Sequence, residues 1–207
     1  MRFYFVRHGQ TEYNKAEIIQ GGSVDAPLTA QGVAGAKQLG CYLADVPFTK
    51  VFTSPQQRAV DTAKYILAEN ESHPTVQTDV RLREIEFGEF DGKTMKEFEE
   101  AGYYQYFKHE PEKYENNPAG ETYKEVTERA YACLQDIIKQ SNDDDIILIV
   151  AHCITLTSLI KYLNGLEVKD YRKNGVLDNT SVTIFEYQNQ EYDMIKYNYV
   201  PQNEASK

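Results

Sequence analysis

The chain has 207 residues, of which 41% are hydrophobic and 26% charged, and its formal net charge is −10 at pH 7. This length supports one sizeable core, so we expect a single domain over residues 1–207. The negative charge argues against nucleic acid or an anionic membrane as a partner, and no apolar run reaches the ~20 residues of a membrane-spanning helix. Three scattered cysteines without metal-ligand spacing (Cys41, Cys133 and Cys153) favour a reducing cytoplasm.

Strand-like and helix-like patterns alternate along the chain, as they do in α/β proteins. The predicted elements are, in chain order, a strand at residues 3–6, a helix after Thr29, a strand at 50–53, a helix capped by Ser54, a long helix after Gly120, a strand at 146–151, a helix that includes residues 156–163, and a hairpin of residues 180–187 and 192–199. The run at 146–151 is continuously apolar, which is typical of a central strand covered on both faces. We therefore predict a three-layer αβα sandwich with a largely parallel central sheet and an edge hairpin.

One segment does not fit this alternation. Residues 95–117 are charged, rich in tyrosine and free of a strand pattern. We interpret them as a helical lid insertion over the functional site. The alternative is a solvated pair of amphipathic helices with no role in ligand binding.

The end of the first predicted strand carries an arginine next to a histidine, in the sequence Arg7-His8-Gly9. In α/β sheets the ends of such strands border the ligand crevice. Arginine neutralises phosphate oxygens, and a neutral imidazole can attack phosphorus, so the pair favours a phosphoryl site. Because the whole chain is acidic, a site for an anion has to be a local basic pocket, which makes Arg7 informative.

Three further motifs have a similar placement. Arg58 follows the strand at 50–53 and lies at the start of a helix, where anions are favoured. His152 ends the most apolar strand, and the acidic loop of residues 82–92 offers a carboxylic acid that can protonate a leaving group. Taken singly, each has a more frequent structural explanation: Arg58 as a solvated helix residue, His152 as a hydrogen-bonded core histidine, and residues 82–92 as a solvated acidic loop.

Together, the motifs resemble those of the histidine phosphatase superfamily, also called phosphoglycerate-mutase-like, over nearly the whole chain. The matching segments are Arg7-His8-Gly9-Gln10-Thr11 with Asn14, Asp25-Ala26-Pro27-Leu28-Thr29 with Gly32, Ser54 with Arg58, Ala59, Thr62 and Ala63, Leu82 with Glu84, Gly88 and Gly92, Gly120-Glu121-Thr122, and His152. The chain departs from the usual pattern at Cys153, where the family has glycine.

The resemblance implies that His8 is the nucleophile and becomes a phosphohistidine. It also implies that Arg7, Arg58 and His152 hold the phosphoryl oxygens, and that Glu84 protonates the leaving oxygen and later activates water. We expect the substrate to contact four further residues: Gly9, Asn14, Gln20 and Cys153. The basic groups neutralise the phosphoryl charge, so neither a metal nor a cofactor is expected.

A physical argument supports the role of His8 more strongly than the choice of Glu84 as proton donor. The flanking arginines should lower the pKa of His8 and keep its imidazole neutral for attack. The choice of Glu84 over Glu86 and Glu89, by contrast, rests on motif position alone.

Other reaction types fit the sequence less well. A thiolate phosphatase built on Cys153 would need an arginine six residues later, where the chain has Leu159. A metal site fails because His73 and His109 lack ligand spacing to the other histidines. Phosphoglycerate mutases share the catalytic residues, but as a family they carry tryptophans beside the first motif, and this chain has none.

We therefore predict a phosphatase of small phosphorylated metabolites, either a monomer or a homodimer. The mutase and a catalytically inactive protein that binds phosphorylated ligands are the alternatives.

Overall fold

A six-stranded sheet forms the centre of the computed structural model, which describes residues 1–72, 74–114 and 120–202. The strands are β1 (Arg2–Arg7), β2 (Lys50–Thr53), β3 (Val76–Thr78), β4 (Ile146–Ala151), β5 (Val182–Gln188) and β6 (Glu191–Tyr199). Their order across the sheet is β3-β2-β4-β1-β5-β6. Neighbouring strands from β3 to β1 are parallel, whereas β5 runs antiparallel to β1 and pairs with β6 as the edge hairpin.

Helices cover both faces of this sheet. The α-helices of the described residues are α1 (Glu12–Lys15), α2 (Ala30–Tyr42), α3 (Gln57–Leu67), α4 (Met95–Glu100), α5 (Tyr103–His109), α6 (Tyr123–Lys139) and α7 (Cys153–Leu163). Apolar residues of α2 and α3 pack on one face, and those of α6 and α7 pack on the other. The predicted three-layer sandwich with a largely parallel sheet is confirmed.

The apolar run of β1 divides its side chains between the two layers, as the alternation of a strand requires. Phe3 and Phe5 pack with α6 and α7, while Tyr4 and Val6 face α2 and α3. β4 is divided in the same way, so both central strands are buried on two faces. This burial explains why their sequences read as continuously apolar.

Two local predictions differ from the structure. Strand β3 was not predicted, because its three residues are exposed and too few to set up an alternating pattern. Helix α3 begins at Gln57 rather than at Ser54, and its N-cap Gln56 provides no side-chain cap. The Ser54 hydroxyl instead accepts a hydrogen bond from the Gln56 amide (3.3 Å) in the turn that precedes the helix.

The predicted insertion contains α4 and α5, which pack on the domain through aromatic rings. Phe98 and Phe107 are buried in a cluster with Phe87 and Phe90 of the acidic loop. The segment is therefore not a pair of freely solvated helices, although its role as a lid stays a prediction. Residues 115–117 of the insertion, like His73, lie outside the described residues.

No helix within the described ranges combines the length and the apolar character that crossing a membrane requires.

Gly32 in the first turn of α2 fixes the position of the loop that follows β1. A Cβ at this position would lie 2.1 Å from the carbonyl oxygen of Gln10, so the backbone would have to shift. We expect Gly32→Ala to lower the free energy of unfolding by about 1–3 kcal/mol, measured by urea denaturation. In an open helix the same change would be stabilising.

Gly35→Ala is the matched control on the same helix, because an added Cβ there meets the side chain of Thr180 rather than backbone. Gly35→Ala should lower the free energy of unfolding by less than Gly32→Ala does. Equal stability of Gly32→Ala and the wild type would contradict the close approach.

Candidate active site

The carboxyl ends of the neighbouring strands β1 and β4 bring two histidines together. The His8 amide donates to the carbonyl oxygen of Ala151 (3.0 Å), and His152 follows directly as the N-cap of α7. The centroids of the two imidazole rings are 5.1 Å apart. This edge of the sheet is where α/β proteins bind ligands.

The tautomer of His8 follows from its hydrogen bond. Its Nδ1 lies 2.8 Å from the carbonyl oxygen of Gly9, and a carbonyl only accepts, so Nδ1 carries the proton. Nε2 therefore keeps its lone pair. The predicted nucleophile is thus oriented by the residue that follows it, and Gly9 is held in turn by the Thr62 hydroxyl, which accepts from its amide (2.9 Å).

His152 has the opposite tautomer. Its Nδ1 accepts a hydrogen bond from Nε–H of Arg58 (3.1 Å), so the proton lies on Nε2. The imidazole is fully buried, and its Nε2 has no hydrogen-bond partner among the described residues. A buried donor without a partner is costly, and a phosphoryl oxygen would satisfy it.

Both histidines are held in the neutral form. Burial lowers the pKa of His8 well below its usual value, and the charges of Arg58 and Arg7 lower it further. The pKa of His152 is also well below its usual value. Burial again has the largest effect, followed by the charges of Arg58, of a protonated His8 and of other arginines. The expectation that neighbouring arginines keep His8 neutral agrees with these causes, although burial has the larger effect.

Arg58 is 1% exposed, and protein acceptors surround its guanidinium. Besides His152, it donates to the carbonyl oxygens of Gln20, Gly21 and Val24 and to the carboxylate of Asp25 (2.9 Å). The loop of residues 20–25 therefore closes over this arginine. A phosphoryl group can bind Arg58 only by displacing some of these acceptors.

The guanidinium of Arg7 forms fewer hydrogen bonds with the described residues than that of Arg58. Its Nη1 donates to the carbonyl oxygen of Leu177 (2.5 Å), and its Nε is buried with no partner among the described residues. This cation is therefore available to an anion beside His8.

The remaining predicted contacts lie at the border of the site. Asn14 uses its side-chain oxygen to accept from the Thr11 amide (3.1 Å) and from the side chain of Asn179 (3.4 Å). The Gln20 amide lies against the Thr11 hydroxyl (2.7 Å). Cys153 begins α7, and its thiol lies 3.9 Å from the carbonyl oxygen of Leu177. These three side chains stay candidate contacts, as does Gly9.

The carboxylate of Glu84 lies on the N-terminus of α7. Oε1 accepts from the amides of Ile85 and Thr155 (3.0 Å each), and it lies 3.1 Å from the Thr155 hydroxyl, which donates to the carbonyl oxygen of Arg83 (2.6 Å). Among the described residues, Oε2 accepts only from the Ile154 amide (3.1 Å). Oε2 can therefore accept a further hydrogen bond. The Ile154 amide to which it binds is two residues after His152 in the chain. Glu86 pairs with Arg83 (2.9 Å), and Glu89 is exposed beside Lys93.

Sequence reasoning did not single out several residues that build this site. Asp25 binds Arg58, Gln56 accepts the Glu84 amide with its side-chain oxygen (2.9 Å), and the side chain of Asn179 donates to the His8 carbonyl (3.0 Å). Asp25 belongs to a segment that matched a family motif, which was a usable signal. Nothing in the local pattern marks Gln56 or Asn179.

The buried neutral histidines predict a stability that depends on pH. An unfolded chain protonates them near pH 6.5, while the folded chain resists this. Below pH 6.5 the unfolded state therefore binds more protons, and the free energy of unfolding should fall as the pH falls. The slope from these two groups approaches about 2.7 kcal/mol per pH unit.

Urea denaturation between pH 5 and 8 measures this slope. His8→Gln and His152→Gln should each remove about half of this contribution, and His109→Gln, at an exposed histidine, should leave it unchanged. A double variant His8→Gln/His152→Gln with the wild-type slope would contradict the expectation.

Comparisons with known proteins agree with this geometry. The model of the histidine phosphatase superfamily (branch 1) matches residues 3–200. A protein of Hydrogenobacter thermophilus named "Putative phosphoserine phosphatase 2" is 31% identical over 200 residues, 95% of each chain. Fructose-2,6-bisphosphatase TIGAR of Xenopus laevis is 39% identical over 94 residues, but the match spans 44% of this chain and only 34% of that relative.

Among solved structures, Bacillus stearothermophilus YhfR superposes with a TM-score of 0.91 and 29% identity, over 97% of this chain and 98% of that one. The family match over nearly the whole length, the full-length relative and this shared fold lead to one conclusion. The chain belongs to branch 1 of the histidine phosphatase superfamily.

Proposed function

We propose that the chain is a metal-independent phosphatase that hydrolyses small phosphomonoesters through a phosphohistidine on His8. The observation that carries this proposal is the pair of opposite tautomers. His8 directs a lone pair from Nε2, because its proton is fixed on Nδ1 by Gly9. His152 offers a buried N–H without a partner among the described residues. One ring can attack phosphorus while the other binds a phosphoryl oxygen.

In the first step, Nε2 of His8 forms a bond to phosphorus as the bond from phosphorus to the leaving oxygen breaks. Arg7 neutralises charge on the phosphoryl oxygens, and neutral His152 donates a hydrogen bond to one of them from Nε2. Arg58 joins them once the loop of residues 20–25 releases part of its guanidinium. The proton that Glu84 carries on Oε2 passes to the leaving oxygen, which departs as an alcohol.

In the second step, water attacks the phosphohistidine. The carboxylate of Glu84 accepts a proton from this water as the new P–O bond forms, and the bond between phosphorus and Nε2 breaks. His8 returns to its neutral form, Glu84 is protonated again, and inorganic phosphate leaves. Atoms and charge balance without a metal.

Small phosphorylated metabolites suit the site better than macromolecules. The four residues at its centre are nearly inaccessible: the exposed fraction is 4% for His8 and Glu84, 1% for Arg58 and 0% for His152. A chain with a net charge of −10 also repels large polyanions. The TIGAR and phosphoserine phosphatase names of the relatives agree with such substrates, but neither name identifies the substrate of this chain.

Hydrolysis is favoured over the mutase reaction, because this chain has none of the tryptophans that phosphoglycerate mutases carry beside the first motif. Relatives with both kinds of name match the chain: "Putative phosphoserine phosphatase 2" is 31% identical over 95% of it, and "Probable phosphoglycerate mutase GpmB" of Proteus mirabilis is 33% identical over 91% of it. The inactive binding protein is disfavoured for a different reason. Every group that the proposed mechanism needs is present, and none of the residues that the structure describes hydrogen-bonds to the lone pair on Nε2 of His8.

His8→Ala should abolish phosphate release from phosphomonoesters, by about three orders of magnitude or more, since the bond-forming atom is lost. Release by the wild type should persist in EDTA. Brief incubation with a labelled phosphomonoester and acid-free denaturation should leave a label on the wild type that is stable in alkali and lost in acid, and no label on His8→Ala.

His109→Ala is the matched control, because this histidine is exposed on the insertion. Loss of activity in EDTA, or labelling that survives in His8→Ala, would contradict the proposal. Interconversion of 2- and 3-phosphoglycerate faster than phosphate release would favour the mutase.

Glu84→Gln should reduce kcat/KM for esters of ordinary alcohols by about 10²–10⁴-fold, because a poor leaving group needs a proton. Esters of p-nitrophenol, whose leaving group needs none, should be far less affected in the first step. Steady-state and burst kinetics on both ester classes measure this difference. Glu86→Gln and Glu89→Gln are the controls, and a larger effect in either would move the proton donor to that residue.

A further inference from the structure

Two peptide groups flank the Cα atom of Glu84, and both are held by hydrogen bonds from other parts of the chain. In the preceding group, the carbonyl oxygen of Arg83 accepts from the guanidinium of Arg129 (2.8 Å) and from the Thr155 hydroxyl (2.6 Å). The amide of the same group, that of Glu84, donates to Gln56 (2.9 Å). In the following group, the carbonyl oxygen of Glu84 accepts from Arg129 again (3.1 Å). Arg129 thus binds the backbone on both sides of the Glu84 Cα.

All five N–H groups of the Arg129 guanidinium have an acceptor. Besides the carbonyl oxygens of Arg83 and Glu84, they bind the carbonyl oxygen of Arg81 (2.7 Å). Nε and Nη2 donate to the two carboxylate oxygens of Glu121 (2.7 and 2.8 Å), and such paired hydrogen bonds fix the plane of a guanidinium. Arg129 therefore keeps no donor for a ligand, and its contacts serve to hold the backbone that leads to Glu84.

Glu121 orients Arg129 and also holds the next part of the acidic loop. Its Oε2 accepts from the Glu86 amide (3.0 Å), and its own amide donates to the Glu86 carbonyl (2.9 Å). Burial alone would raise the pKa of Glu121, but the hydrogen bond and the charge of Arg129 hold that pKa below its usual value, so the carboxylate is ionised at neutral pH. The side chains of Arg129 and Glu121 are 16% and 20% exposed, so solvent screens this ion pair less than a surface pair.

Helix α6 is the rigid support for these contacts. It begins two residues after Glu121 and includes Arg129 in its second turn. Its buried residues Ala130 and Leu134 pack with β4 and α7 in the core. The carboxylate of Glu84, in turn, binds the N-terminus of α7. Glu84 is therefore held at its backbone from α6 and at its carboxylate from α7, and these two helices pack against each other.

We propose that Arg129, oriented by Glu121, is a positioning residue for the proton transfer by Glu84. Its own donors are all engaged, so it acts by fixing the Cα atom from which the carboxylate extends. Proton transfer needs a hydrogen bond of about 2.6–3.2 Å, and a displacement of about 1 Å can lower a rate by about 10²-fold. The inference rests on the proposed phosphatase function, whose acid-base step it makes dependent on a residue of α6.

Two esters separate positioning of the proton donor from general support of the fold. For glycerol 3-phosphate and p-nitrophenyl phosphate, kcat/KM reports the first step, in which only the glycerol ester needs a proton on its leaving oxygen. In Arg129→Gln, kcat/KM should fall by about tenfold to hundredfold for glycerol 3-phosphate, and by less than about threefold for p-nitrophenyl phosphate. A residue that only supports the fold would lower both values alike.

Two single variants complete this comparison. Arg129→Lys keeps the charge but loses the paired N–H groups, so it should show the same selective loss to a smaller extent, and this milder change serves as the test if Arg129→Gln does not fold. Arg81→Gln is the matched control, because the Arg81 guanidinium donates to the carboxylates of Asp79 and Asp136 rather than to the backbone of the loop. It should leave the ratio of the two kcat/KM values unchanged.

A double-mutant cycle tests whether Arg129 acts through Glu84. In the Glu84→Gln background, Arg129→Gln should lower kcat/KM for glycerol 3-phosphate by less than about threefold, because the proton donor is already lost. The full loss of tenfold or more in this background would overturn the proposal. An equal loss for both esters in the single variant Arg129→Gln, or no loss for either, would overturn it as well.

Hydrogen exchange provides a readout that does not depend on activity. The amides of Glu84 and Ile85 should exchange at least about tenfold faster in Arg129→Gln than in the wild type, and Arg81→Gln should exchange like the wild type. If the wild type releases phosphate from neither ester, the proposed function fails, and the exchange of these two amides then decides whether Arg129 positions Glu84. Unchanged exchange in Arg129→Gln would overturn the positioning role.

Discussion

The contact between the Glu84 carboxylate and the N-terminus of α7 is the interaction on which the site depends. It satisfies the amides of Ile154 and Thr155, which a helix terminus leaves without partners. It also joins the acidic loop to the end of β4. His152 precedes these amides, so the same contact fixes the start of the helix that carries it.

A series of hydrogen bonds connects the His152 ring, through Arg58, to the loop of residues 20–25. His152 accepts from Arg58, and Arg58 binds the backbone of residues 20–24 together with Asp25. Asp91 of the acidic loop accepts from the amide of Gly21 (2.8 Å), so the loop of residues 20–25 is held from two directions. The site is thus a closed network of hydrogen bonds, in keeping with the burial of its central side chains.

The central part of this architecture could be predicted because it depends on local patterns. The strands around residues 3–6 and 146–151 are apolar on both faces, and parallel strands bring their carboxyl ends to one edge, so Arg7, His8 and His152 were expected at the same edge of the sheet. The exposed strand β3 has no such pattern. Gln56 and Asn179 also escaped prediction, because their contacts with Glu84 and His8 join distant parts of the chain through side chains that have no special spacing.

Neutral histidines at the centre of the site also determine how its charge responds to pH. His8 and His152 stay unprotonated around neutrality, and arginine does not titrate there, so the positive charge that meets a phosphoryl group is constant. The ester itself still titrates, because the second ionisation of a phosphate lies near pH 6. Under the proposed function, the positive charge of the site is thus a fixed template, and a fall in pH changes the attraction between site and ester through the protonation state of the ester.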